Sequence, residues 1–549
     1  MTFSSRTLLR VFIAAFFIAA IGGGLAYVVH QPKIGIDDAN ITQTYAKNIA
    51  NGFGYVYNKG GEHVEGSTSL LWTVLNVFFF KFSDSPELLI TIFCFFLTVL
   101  TIAELLLFLK SCSHLLRFNF RNSTFIFGFL LLANPSFFAW SIWALMDTTL
   151  WIFCFTTILC RSISLILGAN SSNKTHFPAS ATIICGVLVI FPLVRPEGVA
   201  ISLGLAGLLI LYAYSNRLRD FQRYLLITLA SIISIFVVIT LFRIQYFGFP
   251  FPNTFYAKVS TSYLHQVVMG VKYFIRYLIN PTFLFVLIFA FATPIVLYIR
   301  STFTSKSLRW MLILFTSAVF GVFIIYVVLG GDHFGSARQF QVLTPLLVVF
   351  ATLSILMVSD LLLRQMYLRD GSLGSFISLS IITFVFFAST LPNVVMYLHD
   401  GGGISHEFRI AESDRKLGKI LNQLPGAPTL GVVSAGGISR TYEGHIYDMM
   451  GLNWVEMAHA NRKHNTQALK NHEAFSKEVF FGKMPAIVTP SFGACRELSA
   501  TEFSEAVLPD LFNDERFVKN YKTACYQGTV FYVKREWFEK LSKYISAPR

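Results

Sequence analysis

Charge is scarce in this chain. Only 13% of its 549 residues are Asp, Glu, Lys or Arg, against about 25% in an ordinary soluble domain. That shortage excludes a conventional water-soluble globule. Cysteine is sparse too, with seven residues. Cys94, Cys112, Cys154, Cys160 and Cys185 fall in or beside apolar runs, and only Cys495 and Cys525 lie in a polar tail. Those two can pair in an oxidising compartment or stay free, since spacing alone does not show proximity. There is no long basic tail and no stripe of arginine among aromatics, which sets aside nucleic acid as the partner of the net charge of +14. No small-residue cleavage site clearly follows the first apolar run, residues 11–29. That run is too long for a signal-peptide core and holds Gly22-Gly23-Gly24, so it reads as a retained membrane helix. The apolar runs are almost free of charge, which argues against a midplane ion or substrate site of transporter type.

What is abundant is apolar sequence. Hydrophobic residues make up 54% of the chain, and 57 of them are Phe. Segments of spanning character lie near 7–29, 86–109, 122–136, 147–167, 180–195, 197–214, 222–246, 281–299, 309–329, 337–358 and 374–397, several of them shorter than the roughly 20 residues a crossing needs. Residues 70–82 are apolar but shorter still, and read as a helix on the membrane face. With Arg6 and Arg10 placed in the cytoplasm, eleven spans put every basic cluster in a cytoplasmic loop: 110–121, 168–179, 215–221, 300–308 and 359–373. A span at 70–82 would invert that bias. The expected fold is therefore an α-helical polytopic membrane protein with about eleven transmembrane helices over residues 1–397, a first outer loop at 30–85, and a soluble α/β domain at 398–549. The tail is long enough for its own core, and 429–434, 486–490 and 528–533 read as strands.

Parity gathers the unusual polar residues on one side. Asp37-Asp38 stands where the first helix leaves the bilayer, ahead of a helical pattern at Ile41, Tyr45 and Ile49. One Asp serves as a helix cap; a pair at a membrane surface suits a general base and a divalent-metal ligand. His63 lacks metal-ligand spacing and reads as solvated. Glu65 is a better candidate. Arg195-Pro196-Glu197 is a charged knot between two spans. Asn253 and Lys258 follow an aromatic run that otherwise reads as an interfacial belt. Asp332, His333 and Arg338 cluster at a helix start, and Asp147 reads as a cap. Lys258 and Arg338, with Arg195 and Asn253, suit a phosphate, while Glu65, Glu197, Asp332 and His333 suit acceptor contact or loop organisation.

The run Asp37-Asp38-Ala-x-Ile-Thr, Tyr45-Ala, Asn48, Gly52-x-Gly54, Asn58, Glu65-Gly66 and Leu71-Trp72 resembles the GT-C integral membrane glycosyltransferases, closest to the bacterial terminal arabinofuranosyltransferase-like branch. Arg195-Pro196-Glu197-Gly198, Pro252-Asn253-Thr254-x-Tyr256-x-Lys258, Gly330-Gly331-Asp332 with Arg338, and Gly436 with Asp448 and Gly451-Leu452 look like later motifs in the same order. The resemblance implies transfer of a sugar from a polyprenyl-phosphate donor to a cell-envelope glycan, lipopolysaccharide among them, with inversion, on the periplasmic face of the bacterial inner membrane. It also implies that Asp37 and Asp38 supply the base, with Asp37 preferred, and hold a divalent metal such as Mg, Mn or Ca. No nucleotide cofactor is implied. Gln43 stands where a basic residue is common, and Ser67 where an aromatic is common. Two other readings compete: a lipid-linked polysaccharide ligase or polymerase, which needs no Asp-Asp loop here, and a non-catalytic membrane transporter.

Overall fold

The computed structural model describes residues 4–116, 118–168, 177–259, 262–299, 305–367, 390–391, 394–460, 471, 473–489 and 506–547. Among these, seven helices are long and apolar enough to cross a bilayer: Ser5–His30, Glu87–Leu116, Thr148–Gly168, Gly198–Ser215, Arg219–Phe247, Pro281–Ile299 and Lys306–Val328. A further apolar pair is bent, Phe120–Leu132 meeting Pro135–Trp143 at 79°. Pro135 causes the break, because its ring removes an N–H and disfavours helical geometry at Asn134. The Asn134 side chain then turns back, its Nδ2 donating to the Leu130 carbonyl at 2.9 Å. The helices Phe177–Val194 and Thr344–Tyr367 fall on two more of the expected segments. Ten of the eleven expected apolar segments are thus helices. Most of the eleventh, 374–397, lies outside the described residues.

The two ends of this bundle differ. At one, Lys306 Nζ donates to the Ser215 carbonyl at 2.8 Å, joining two of the basic loops. The other end carries helices Asp37–Ala50 and Leu70–Phe80, the short helix Asn253–Lys258, and a 17-residue helix, Tyr263–Ile279, inside what the sequence reads as a loop. This last helix is amphipathic, which is its own signature in the sequence. Leu264, Val268, Val271, Ile275 and Ile279 are exposed, while Gln266, Gly270, Tyr273 and Tyr277 are buried. Gly270 is required there, since a Cβ would overlap the backbone of Val327.

The same end is covered by the C-terminal α/β unit. Helix Ser405–Leu421 leads into a five-stranded sheet of order β2-β1-β3-β5-β4, with β1 Leu430–Val432, β2 Ile446–Asp448, β3 Ile487–Thr489, β4 Tyr521–Tyr526 and β5 Thr529–Lys534. β1 runs parallel to β2 and β3, with Leu430 opposite Ile446 and Ile487, and β5 is antiparallel to β3 and β4. Gln527 and Gly528 both have positive φ, as a two-residue hairpin between β4 and β5 demands. The three strands expected from sequence are β1, β3 and β5. Cys525 is disulfide-bonded, and Cys495 lies outside the described residues.

Candidate active site

The acidic pair is split by the helix it begins. Gly35 turns the chain with φ of 74°, Ile36 is extended, and Asp37 is the first helical residue. Asp37 is therefore not the helix cap. Its side chain instead receives two backbone N–H groups from the C-terminal unit, Gly436 at 3.0 Å and Gly437 at 2.7 Å, one on each oxygen. A Cβ on Gly436 would overlap the Asp37 carbonyl, which explains the glycine. Burial pushes the Asp37 carboxyl up to about 6, against the pull of those two amides.

Asp38 sits about 100° further round the helix and lines a cavity of about 310 Å³. Lys258 Nζ lies 3.7 Å from Asp38 Oδ2, and Arg338 Nη1 lies 3.9 Å from the same oxygen. Burial raises the Asp38 carboxyl, but the charges of Lys258 and Arg338 outweigh it and hold it below the usual carboxylate value. Arg338 is fixed from behind. Its Nε and Nη2 both lie 2.7 Å from Asp332 Oδ2, and its guanidinium stacks 4.2 Å from the Phe334 ring. Asp332 also accepts from the Gln339 side chain at 3.1 Å and the His333 N–H at 2.9 Å. The His333 ring stands 3.5 Å from Asp332. One oxygen of Asp332 thus orients the arginine, and Asp38 faces the open side.

Deeper in the same cavity, Arg195 lies 3.0 Å from Glu197 and 3.5 Å from Asp147. Tyr326 donates to Glu197 at 3.0 Å. Asp147 is therefore part of a buried charge cluster as well as preceding a helix. Phe251, Phe255 and Leu329 give the cavity an apolar flank.

Other sequence candidates stand outside the cavity. Glu65 is 2% exposed and is held by Arg243 through two bonds of 2.7 and 2.8 Å. Its carbonyl accepts the Asn253 N–H at 3.1 Å. The Asn253 side-chain amide donates to the carbonyls of Gly451 and Leu452 at 2.8 and 3.0 Å. Both residues join the first loop to other elements, the loop-organising alternative for Glu65. His63 stacks on Tyr246 at 4.3 Å.

Three further residues complete this framework, Asp448 from the last of the sequence motifs and Arg243 and Arg415 from none of them. Arg243 follows the uncharged stretch 224–242 of its helix, a signal the composition of that span carries. Asp448 accepts from the Met450 and Asn453 N–H groups and the Asn453 side chain. Asn453 in turn accepts from the Tyr45 hydroxyl at 2.9 Å, and that hydroxyl accepts from the Gly66 N–H at 3.1 Å. Arg415 donates to Asn40, Gln43 and Glu87. A basic group therefore does reach Gln43, but from a residue 372 positions away.

The divalent-metal expectation fares differently. Both Asp37 oxygens face backbone amides, and Asp38 faces two cations, so the pair does not converge on a shared point. Among the described residues no group of three or more His, Cys, Asp or Glu side chains is arranged to hold a metal ion. A metal at this end would be held by Asp38, the member of the pair that lines the cavity, together with substrate oxygens.

No family model matches this sequence, and no curated protein matches it. Solved structures do. The oligosaccharyltransferase of Archaeoglobus fulgidus superposes with a TM-score of 0.58 over 97% of this chain and 75% of its own, at 13% identity. ArnT of Cupriavidus metallidurans, solved bound to undecaprenyl phosphate, superposes with a TM-score of 0.53 over 96% of this chain and 98% of its own, at 12% identity. The fold is the GT-C fold. The oligosaccharyltransferase has also been solved in complex with Zn and sulfate. At these identities the likeness is one of architecture, and it does not single out the arabinofuranosyltransferase-like branch.

Proposed function

We propose that this chain is a GT-C glycosyltransferase. It moves a sugar from a polyprenyl-phosphate donor to a cell-envelope glycan, at the end of the bundle that carries the C-terminal unit. One observation supports this reading above the others: Asp38, Lys258 and Arg338 meet within 4 Å in one cavity with an apolar flank. The undecaprenyl phosphate in the ArnT structure is consistent with a lipid-borne phosphate here.

In this scheme the donor phosphate enters between Lys258 and Arg338, whose charges meet the negative charge that grows on the leaving group. The acceptor hydroxyl attacks the anomeric carbon, the bond from that carbon to the phosphate oxygen breaks, and the polyprenyl phosphate leaves. The hydroxyl proton passes to Asp38, which we assign as the base because it, and not Asp37, faces the cavity. Direct displacement inverts the anomeric centre. Before donor binding, the two cations keep Asp38 weakly basic. A phosphate that neutralises them raises its proton affinity at the moment the proton must move. Asp37 acts as a positioning residue, tying the start of this helix to Gly436 and Gly437. No step is assigned to a metal.

Transfer of labelled sugar from a synthetic polyprenyl-phosphate donor by the purified full-length protein provides the test. Asp38→Asn should lower kcat by about 10²–10⁴. Lys258→Ala and Arg338→Ala should raise KM for the donor. Full activity in Asp38→Asn would sink the base assignment, and transfer only from diphosphate donors would favour a polysaccharide ligase or polymerase.

A further inference from the structure

On the far side of the Asp37–Ala50 helix, a second cavity of about 130 Å³ lies in the seam between the first loop and the C-terminal unit. The proposed transfer does not use it. Lys47, Lys59 and Arg440 line it, together with Thr44, Ser439, Thr441 and one acid, Glu443. Lys47 is nine residues beyond Asp38 on the same helix, about 14 Å along its axis.

Arg440 is the telling residue. Its side chain is 4% exposed. One face lies 4.7 Å from the Phe80 ring. Nη2 lies 3.3 Å from the Asp84 carbonyl and 3.6 Å from Glu87, whose carboxylate is engaged more closely by Arg415 at 2.6 Å. Nε and Nη1 are buried with no hydrogen-bond partner among the described residues. Open donors on a buried cation are costly, and burial, followed by repulsion from Arg415, pulls the guanidinium down to about 10. Lys47 is also pulled down, first by burial and then by Arg440 and Lys59, against the opposing influence of Asp84 and Glu443. Neither acid closes an ion pair with Lys47 or Lys59 among the described residues. A basic residue in the last turn of a helix complements its dipole. That accounts for Lys47, but not for Lys59 or for the open donors of Arg440.

We propose that this seam cavity binds a phosphate group. Three cations match an anion with several acceptor oxygens; the hydroxyls of Thr44, Ser439 and Thr441 already donate to the carbonyls of Asn40, Gly436 and Arg415. One bearer of such a group is an anionic phospholipid. Phe78 and Phe82, on the segment that also carries Phe80, are 59% and 68% exposed, a surface suited to acyl chains. A free phosphate ester is the other source of the same chemistry. The site stands on its own cations and does not depend on the transfer reaction.

The test uses the full-length protein in nanodiscs. With phosphatidylcholine alone and Lys258→Ala/Arg338→Ala to silence the first cavity, calorimetry should find one saturable inorganic phosphate per chain. Adding Lys47→Gln/Lys59→Gln, two accessible positions that leave the Arg440–Glu87 contact intact, should weaken it at least 10-fold with an unchanged unfolding midpoint. With phosphatidylglycerol present, a headgroup occupant blocks the phosphate titration, and native mass spectrometry retains that lipid on wild type but not on Lys47→Gln/Lys59→Gln. A free-ester occupant leaves the titration unblocked. Phosphate binding that is absent, or that survives Lys47→Gln/Lys59→Gln at full strength, overturns the site.

Discussion

Two neighbouring carboxylates have opposite environments here because a helix turns by 100° per residue. Asp37 is pushed up to about 6 by burial, and Asp38 is held down by Lys258 and Arg338 against its own burial. For Asp38 the sign is that of a carboxylate stabilised in its charged form, so it stays ionised to lower pH than a free Asp. The acid limb of kcat/KM, which reports the free enzyme, should therefore lie below the ordinary carboxylate range. The limb of kcat should lie higher, because donor phosphate offsets the two cations once bound. A pH–rate profile at saturating and subsaturating donor checks this; coincident limbs would disconnect Asp38 from the phosphate site. The position of the pair was legible in the sequence, since adjacent acids at the end of a membrane helix are costly without a purpose. Which of them faces the cavity was not. That depends on the helix starting at Asp37 itself, and on amides from Gly436 and Gly437 far along the chain.

At the scale of elements, strong local patterns came through and long-range pairings did not. Most spans follow from their apolar runs, and three of five strands from theirs. The helix Tyr263–Ile279 was missed because a mixed apolar and polar stretch between spans resembles a loop until its period is counted. Glu65 was noticed, but its partner Arg243 sits on a helix 178 residues away, and no spacing rule joins them. This pair ties the first loop to the Arg219–Phe247 helix. Arg243→Met strands a buried carboxylate and should cost about 3–5 kcal/mol, whereas Glu65→Gln/Arg243→Met together should recover much of it. Thermal unfolding in detergent measures both; equal losses for the single and double variants would show that the pair contributes through packing alone.

For the molecule as a whole, the charge bias of the loops predicts an orientation for the bundle. Reporter fusions test this, with alkaline phosphatase inactive after Leu218 and active after Asp400 if the basic loops lie in the cytoplasm and the C-terminal unit outside. The reverse pattern would turn the whole assignment over. The bond between Asp37 and Gly437 closes across 400 positions. The ribosome makes the acid early and its amide partners only near the end of synthesis. A chain stopped before Gly436 would carry Asp38, Lys258 and Arg338 in full, yet its acidic helix would lack its clasp. Completion of the site thus waits on the last part of the chain to be made; on the proposed reading, the onset of transfer is tied to the end of biogenesis, and C-terminal truncations should lose transfer before they lose membrane insertion.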